Sequence, residues 1–246
     1  MLLVTLVTII LSPIIYLLHC RFRRDNPGQA VRRIIWYYGR CWVVLTSLFV
    51  PLTVRTGSRA DYPSPCIVVA NHQSFFDAFC MGALPLHDFV FVVRAWPFRI
   101  PFYGPYMRRA EYLNSEVMTH DQFLVAGAEL LRRGTSLIIF PEGTRSTTGA
   151  LGRFYSGAFR LATATGTPVV PLCLGGLGSF LPRGSFLIRR HPVVVETLPA
   201  VDPADFTEYG VTAHMELRKA IKTRMTRWCM MANSCTAPEV SPVQNI

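Results

Sequence analysis

Four short apolar runs constrain this chain more than any other feature: CIVVA (66–70), FVFVV (89–93), SLIIF (136–140) and VVPLCL (169–174). Each is rich in β-branched residues and shows no polar alternation, as expected of strands buried on both faces. Helical patterns lie between them. HDQFLVAGAELLRR (120–133) follows Thr119, which with Gln122 makes a capping-box signature, and Gly134 stands where such a helix stops. SGAFRLATATG (156–166) predicts a second helix ending at Gly166. Further on, FLIRR (186–190) and PVVVETL (192–198) read as two adjacent strands, and 211–231 as an amphipathic basic helix. This alternation implies an α/β domain with a mainly parallel, mixed sheet flanked by helices. Ligands of such sheets sit beyond the carboxyl ends of the strands.

The N-terminal part reads differently. Residues 2–18, LLVTLVTIILSPIIYLL, are almost wholly apolar and near the lower length limit of a spanning helix. Positive charge follows this run (Arg21, Arg23, Arg24, then Arg32 and Arg33), which predicts a retained anchor with the following segment on the cytoplasmic face. Residues 34–54 are also apolar, but Arg40 interrupts them; the clustered aromatics Trp36, Tyr37, Tyr38 and Trp42 predict an interfacial or re-entrant helix. The expected organisation is therefore 1–55 membrane-anchoring helices, 56–233 the α/β domain, and 234–246 a disordered tail. Hydrophobic residues make up 50% of the 246 and the formal net charge is +10, a combination that suits an anionic membrane surface. All but two of the 25 basic residues are Arg (the exceptions are Lys219 and Lys222). That preference fits phosphate recognition and fits genome composition equally well. The basic residues sit beside apolar segments rather than among exposed aromatics, which argues against a nucleic-acid partner. Seven Cys are scattered without metal-ligand spacing, so neither a disulfide framework nor a zinc site is expected.

NHQSFFD (71–77) falls just past the first buried run. Residues five apart lie on different faces of one helix, so His72 reaches Asp77 only from a turn preceding it. Ser74 is a plausible N-cap that would place Asp77 at N3. Asp77 then either completes a capping box with Ser74, or also holds an imidazole N–H and leaves the other ring nitrogen free as a base. Serine catalysis at Ser74 is disfavoured: there is no GxSxG elbow, and His72 is only two residues away.

FPEGTRS (140–146) likewise follows a buried run. Gly143 permits an unusual φ, Arg145 has the fork for a phosphate, and Glu142 can accept from a hydroxyl; an internal Glu–Arg pair is the plainer alternative. Taken together, NHQSFFD, FPEGTRS and TPVVPL (167–172) resemble the 1-acylglycerol-3-phosphate acyltransferase family, also called the phospholipid/glycerol acyltransferase family, over residues 60–200. The resemblance implies the fold of glycerolipid acyltransferases. It also implies transfer of an acyl group from acyl-CoA or acyl-carrier protein to the hydroxyl of a lysophospholipid, most simply 1-acylglycerol-3-phosphate giving phosphatidic acid. In that scheme His72 is the general base and Asp77 orients it. Glu142, Gly143, Thr144 and Arg145, with Ser74 and Arg94, serve substrate binding. Neither metal nor cofactor is called for, and the partners are membrane phospholipids, the acyl donor and the lysophospholipid acceptor.

Departures from the family pattern fall in the second block, VVRAWPFRIPFYGPYMRRAEYLNSE (92–116). Arg94 stands where Lys is common, and LNSE occupies the place of an expected Arg, with Arg108 and Arg109 nearby. Tyr155 replaces a Lys after the third block, where Arg153 and Arg160 are candidates to compensate. A different lyso-lipid or hydroxylated acceptor, or a non-catalytic lipid-binding protein, are the competing readings.

Overall fold

A computed structural model describes residues 26–101, 103–185 and 187–236. It opens with α1 (Pro27–Phe49), which begins cleanly because Asn26 and Gln29 form a reciprocal capping box and Pro27 occupies the first turn, where its missing N–H is no loss. The chain then runs β1 (Leu52–Arg55), β2 (Ile67–Ala70), α2 (Asp77–Cys80), β3 (Phe89–Val93), α3 (Tyr103–Arg109), β4 (Leu113–Asn114), α4 (His120–Arg132), β5 (Ser136–Ile139), α5 (Gly157–Thr165), β6 (Val169–Gly175), α6 (Leu177–Phe180), β7 (Val193–Thr197) and α7 (Ala213–Thr236). One seven-stranded sheet results, ordered β1-β7-β6-β2-β5-β3-β4. Every neighbouring pair is parallel except β6 and β7. The four apolar runs supply its centre, fully buried in β2 and β5, as their composition predicts.

Helices cover both faces. On one, Tyr38, Trp42 and Val43 of α1 pack with Phe76, Phe79 and Cys80 over Val68, Ala70, Phe91 and Leu172. On the other, Leu130 and Leu131 of α4, Phe159 and Leu161 of α5, and Leu217, Ile221 and Met225 of α7 cover Ile67, Val69, Val90 and Leu137. The i, i+4 spacing of the three α7 residues places them on one face of that helix. The Thr119/Gln122 capping box forms as expected, and Gly134 and Gly166 close their helices with positive φ.

Three readings change. Residues 187–190 form no strand: β7 already pairs with β6 on one side and β1 on the other, so its hydrogen-bonding edges are taken, and Leu187 is 77% exposed. The apolar stretch 34–54 is not one helix, because Pro51 follows α1 and Leu52–Arg55 becomes an edge strand. Residues 27–55 consequently belong to the sheet domain. The outward side of α1 does expose Tyr37, Val44, Leu48 and Phe49. Among the described residues no helix is long and apolar enough to cross a membrane, and the 2–18 segment lies outside them. The chain stays helical to Thr236; the rest of the expected tail, 237–246, also lies outside the described residues.

Beside this packing, two further contacts attach α1 to the domain. Arg32 is 2% exposed and donates to Asp88 at 2.5 Å and Glu111 at 2.8 Å. Glu111, at φ 62, also takes Arg133 at 2.9 Å. A non-Gly residue there costs about 1–2 kcal/mol, which the two guanidiniums offset. The second contact is main chain against main chain: a Cβ on Gly82 would lie 2.2 Å from the Gly39 carbonyl carbon.

Candidate active site

The turn after β2 and the turn after β5 meet at the carboxyl edge of the sheet. β2 and β5 are adjacent and parallel, with Val69 opposite Ile139, so the chains leaving them are neighbours. Two residues of NHQS tie their turn to its surroundings. The Asn71 side chain donates to the Leu174 carbonyl at 2.9 Å and accepts from the Leu174 N–H at 2.7 Å, which fixes the end of β2 to β6. Ser74 is fully buried; its hydroxyl donates to the Leu181 carbonyl at 2.8 Å and accepts from the Phe76 N–H at 3.3 Å. His72, between them, is left at the surface of the turn with its side chain 24% exposed.

His72 Nδ1 lies 2.6 Å from Asp77 Oδ2. The same oxygen accepts the N–H groups of Gln73 at 2.6 Å and Ser74 at 2.9 Å. Both alternatives left open by the sequence are therefore realised in one carboxylate, which organises the turn and holds the imidazole. Regular helix starts only at Asp77, so Ser74 is not a simple N-cap. Asp77 is completely buried, and its Oδ1 has no partner among the described residues. Burial pushes its carboxyl above the ordinary range, against the pull of the His72 ring and the two N–H groups. Because an ionised carboxylate only accepts, the neutral ring must carry its hydrogen on Nδ1, leaving a lone pair on Nε2. The ring also stacks on Phe140, with centroids 4.4 Å apart, which limits its rotation.

Glu142 faces the backbone of the two turns and not the cavity. Its Oε1 accepts from the His72 backbone N–H at 2.9 Å and its Oε2 from the Gly152 N–H at 2.7 Å. With 7% exposure and both oxygens occupied, it staples the two turns together. The Ser146 N–H to His72 carbonyl bond, 2.7 Å, adds a second tie. Gly143 has φ 69, and a Cβ there would sit 3.2 Å from the Tyr155 ring. Sequence spacing reveals none of the Glu142 partners, since each is a backbone group outside its own turn.

A cavity of about 890 Å³ opens beside the two turns. His72, Gly143, Thr144, Arg145 and Arg94 line it; Ser74 and Glu142 do not. Arg145 forms no ion pair among the described residues. Arg94 does: its Nε and Nη2 each lie 2.5 Å from Glu116 Oε1, while the Ala95 N–H holds Oε2 at 2.7 Å. The Ala95 N–H, then Arg94, keep the Glu116 carboxyl below its usual range. An acid thus occupies the stretch where the resemblance leads one to expect an Arg. Neither Arg108 nor Arg109 lines the cavity. Away from the turns its wall is apolar and aromatic, with Ile35 and Tyr38 of α1 facing the same space as Tyr112, Met118 and Phe123. Phe140, Tyr155 and Glu116 are wall residues too; the sequence marks Phe140 only as the start of FPEGTRS, and Tyr155 and Glu116 only as departures from the family pattern.

Comparison with known proteins points to one family. Over 166 residues the chain is 39% identical to the chloroplastic 1-acyl-sn-glycerol-3-phosphate acyltransferase of Arabidopsis thaliana, covering 65% of this chain and 46% of that protein. A Brassica napus chloroplastic protein of the same name is 39% identical over 52% of this chain and 38% of its own length. The chain thus spans under half the length of these two relatives. The Escherichia coli 1-acyl-sn-glycerol-3-phosphate acyltransferase is 29% identical, over 88% of this chain and 86% of that one. The crystal structure of the 1-acyl-sn-glycerophosphate (LPA) acyltransferase PlsC from Thermotoga maritima superposes with a TM-score of 0.72 at 26% identity, covering 94% and 95% of the two chains. The acyltransferase family model matches residues 52–175, from the first edge strand through β6 and across both turns; the chain belongs to the acyltransferase family.

Proposed function

We propose that this protein transfers a fatty acyl group from a thioester, acyl-CoA or acyl-carrier protein, to the free hydroxyl of a lysophospholipid, converting 1-acylglycerol-3-phosphate to phosphatidic acid. The observation that carries this reading is the 2.6 Å His72–Asp77 pair on the wall of an apolar cavity that also presents Arg145. His72 Nε2 removes the hydroxyl proton, and the oxygen attacks the thioester carbonyl. A C–O bond forms, the C–S bond breaks, and the proton passes from the imidazolium to the departing thiolate. No covalent enzyme intermediate arises, and no metal or cofactor is called for. Asp77 fixes the ring tautomer and stabilises the imidazolium. Arg145 and the Gly143–Thr144 turn hold the acceptor and its phosphate, and the apolar wall takes acyl chain.

The protein works at a membrane, with this domain on the cytoplasmic face. Support comes from the amphiphilic acceptor and its bilayer-forming product, the exposed apolar side of α1 and the charge order after residues 2–18. Replacement of His72 by Ala is expected to lower kcat by about 10²–10⁴-fold in a thioester-consumption assay. Turnover equal to the parent would remove His72 as the base.

A second reading keeps the chemistry and changes the acceptor. It is favoured by the Arg94–Glu116 pair, which takes one cation of the cavity wall out of phosphate binding, and by Tyr155 in a place where the resemblance leads one to expect Lys. Comparing kcat/KM across lyso-acceptors decides between the two. Good turnover of another head group with failure of 1-acylglycerol-3-phosphate selects the second.

A further inference from the structure

Acyl transfer of this kind brings two anionic substrates to one cavity, and Arg145 accounts for one of them. A separate cationic cluster lies on the α4–α5–α7 side and reaches the cavity through His120. His120 starts α4 and lines the cavity. Arg160 of α5 places Nη1 3.4 Å from His120 Nε2. Arg218 of α7 donates from Nη1 to Ser156 Oγ at 2.7 Å, just before α5, whose Gly157 also lines the cavity. His214 shares the cluster: burial, then Arg160, then Arg218 and His120 among other contributions, hold it below the ordinary imidazole range. Among the described residues neither Arg160 nor Arg218 has a carboxylate partner. The acids nearby are Asp121, in the first turn of α4, and Glu216, which Lys219 holds at 3.7 Å.

Two guanidiniums without a carboxylate partner, both acting on His214, leave net positive charge at this end of α5, and a phosphate compensates it while taking their N–H groups in forked hydrogen bonds. Approach at the starts of α4 and α5 adds the favourable end of two helix dipoles. Resting on the acyl-transfer reading, we propose that Arg160, Arg218 and His120 seat the phosphate end of the acyl donor. The chemistry common to acyl-CoA and acyl-carrier protein is the phosphate at the end of the pantetheine arm. Seated there, the arm enters past Tyr155 and Gly157, and Tyr155 sits over Gly143 in the FPEGTRS turn. Donor and acceptor phosphates then occupy different cations, with the thioester carried towards His72.

Initial rates with both substrates varied, on the full chain carrying Arg160→Gln, Arg218→Gln or both, test the assignment. The KM for acyl-CoA is expected to rise about tenfold per substitution, roughly 1.4 kcal/mol. The acceptor KM and the rate with acyl-pantetheine, which lacks the phosphate, are expected to stay at parent values. A matching rise with acyl-carrier protein assigns the shared pantetheine phosphate; a rise with acyl-CoA alone assigns the nucleotide phosphates, and both support the site. An unchanged KM for acyl-CoA, an equal loss with acyl-pantetheine, a rise in acceptor KM, or a rise confined to acyl-carrier protein overturns it. Calorimetric titration with CoA gives a readout independent of turnover: the double variant is expected to bind at least tenfold more weakly, and equal binding overturns the proposal. Thermal unfolding of each variant checks that it is folded. A parent that transfers from no donor to any acceptor sinks the acyl-transfer reading instead, while the CoA titration still reports on the cluster.

Discussion

Asp77 does two jobs with one oxygen, and Glu142 does one job with two. The HxxxxD spacing announces the first, because His72 and Asp77 lie within one turn and only a break before the helix lets them meet. Replacing Asp77 by Asn keeps the shape but forces an amide N–H or a carbonyl to face three N–H donors, and it frees the ring to take the other tautomer. A loss of about 10³–10⁴-fold in kcat is expected, with KM for both substrates little changed. Steady-state kinetics on a variant shown to be folded checks it. Glu142 invites a different test. Its carboxylate accepts only backbone N–H groups, one of them ten residues away and the other seventy. Glu142→Gln leaves one of those donors facing an NH2 group, at a cost of about 1–3 kcal/mol. A lowered Tm together with a lowered kcat is expected; a change in acceptor KM at unchanged Tm would restore the substrate-contact role suggested by the family resemblance. Local sequence cannot show this staple, since Glu142 is as good a hydroxyl acceptor as a backbone acceptor until the fold supplies the partners.

Elements were legible where one physical signal dominated. β2, β3, β5 and β6 follow from β-branched runs without polar alternation, and α4 from its cap. FLIRR has strand-like composition too, yet no free sheet edge beside β7 remains for it. β1 was hidden inside an apolar stretch read as helix; its cue was Pro51, which separates it from α1. Nothing local marks the two-residue β4, which exists only because Leu113 finds Val92 beside it. The attachment of α1 was equally illegible, because Arg32 reads as a membrane-flanking charge until Asp88 and Glu111 close around it. Arg32→Met leaves Asp88 without its cation and Glu111 with Arg133 alone, and is expected to cost about 3–5 kcal/mol in urea unfolding. Glu111 gives the pH counterpart. Burial opposes its ionisation, but Arg133 and Arg32 outweigh that and hold its pKa below the usual 4.5. A depressed folded pKa stabilises above the unfolded value and loses that stability as pH falls from 4.5 through the folded pKa. In Glu111→Gln the acid-side loss of stability below pH 4.5 is expected to flatten, as followed by thermal unfolding across pH.

At the scale of the whole molecule, the exposed apolar end of α1 and the cationic cluster lie on opposite faces of the sheet. α1 presents Val44, Leu48 and Phe49 outward on one face of the sheet, whereas Arg160, Arg218 and Lys222 lie on the face covered by α4, α5 and α7. The cavity reaches both sides, touching Ile35 and Tyr38 on the first and His120 and Gly157 on the second. One of its walls has a dimension set by backbone alone. Gly39 lines the cavity and meets Gly82 with no room for a methyl on either residue. Side-chain substitution there cannot trim or deepen the chamber by small steps; a methyl would act as a wedge and lift the whole helix. Variants selected for longer or shorter fatty chains should therefore carry their changes opposite, at Tyr112, Met118 or Phe123, while the glycine crossing stays untouched.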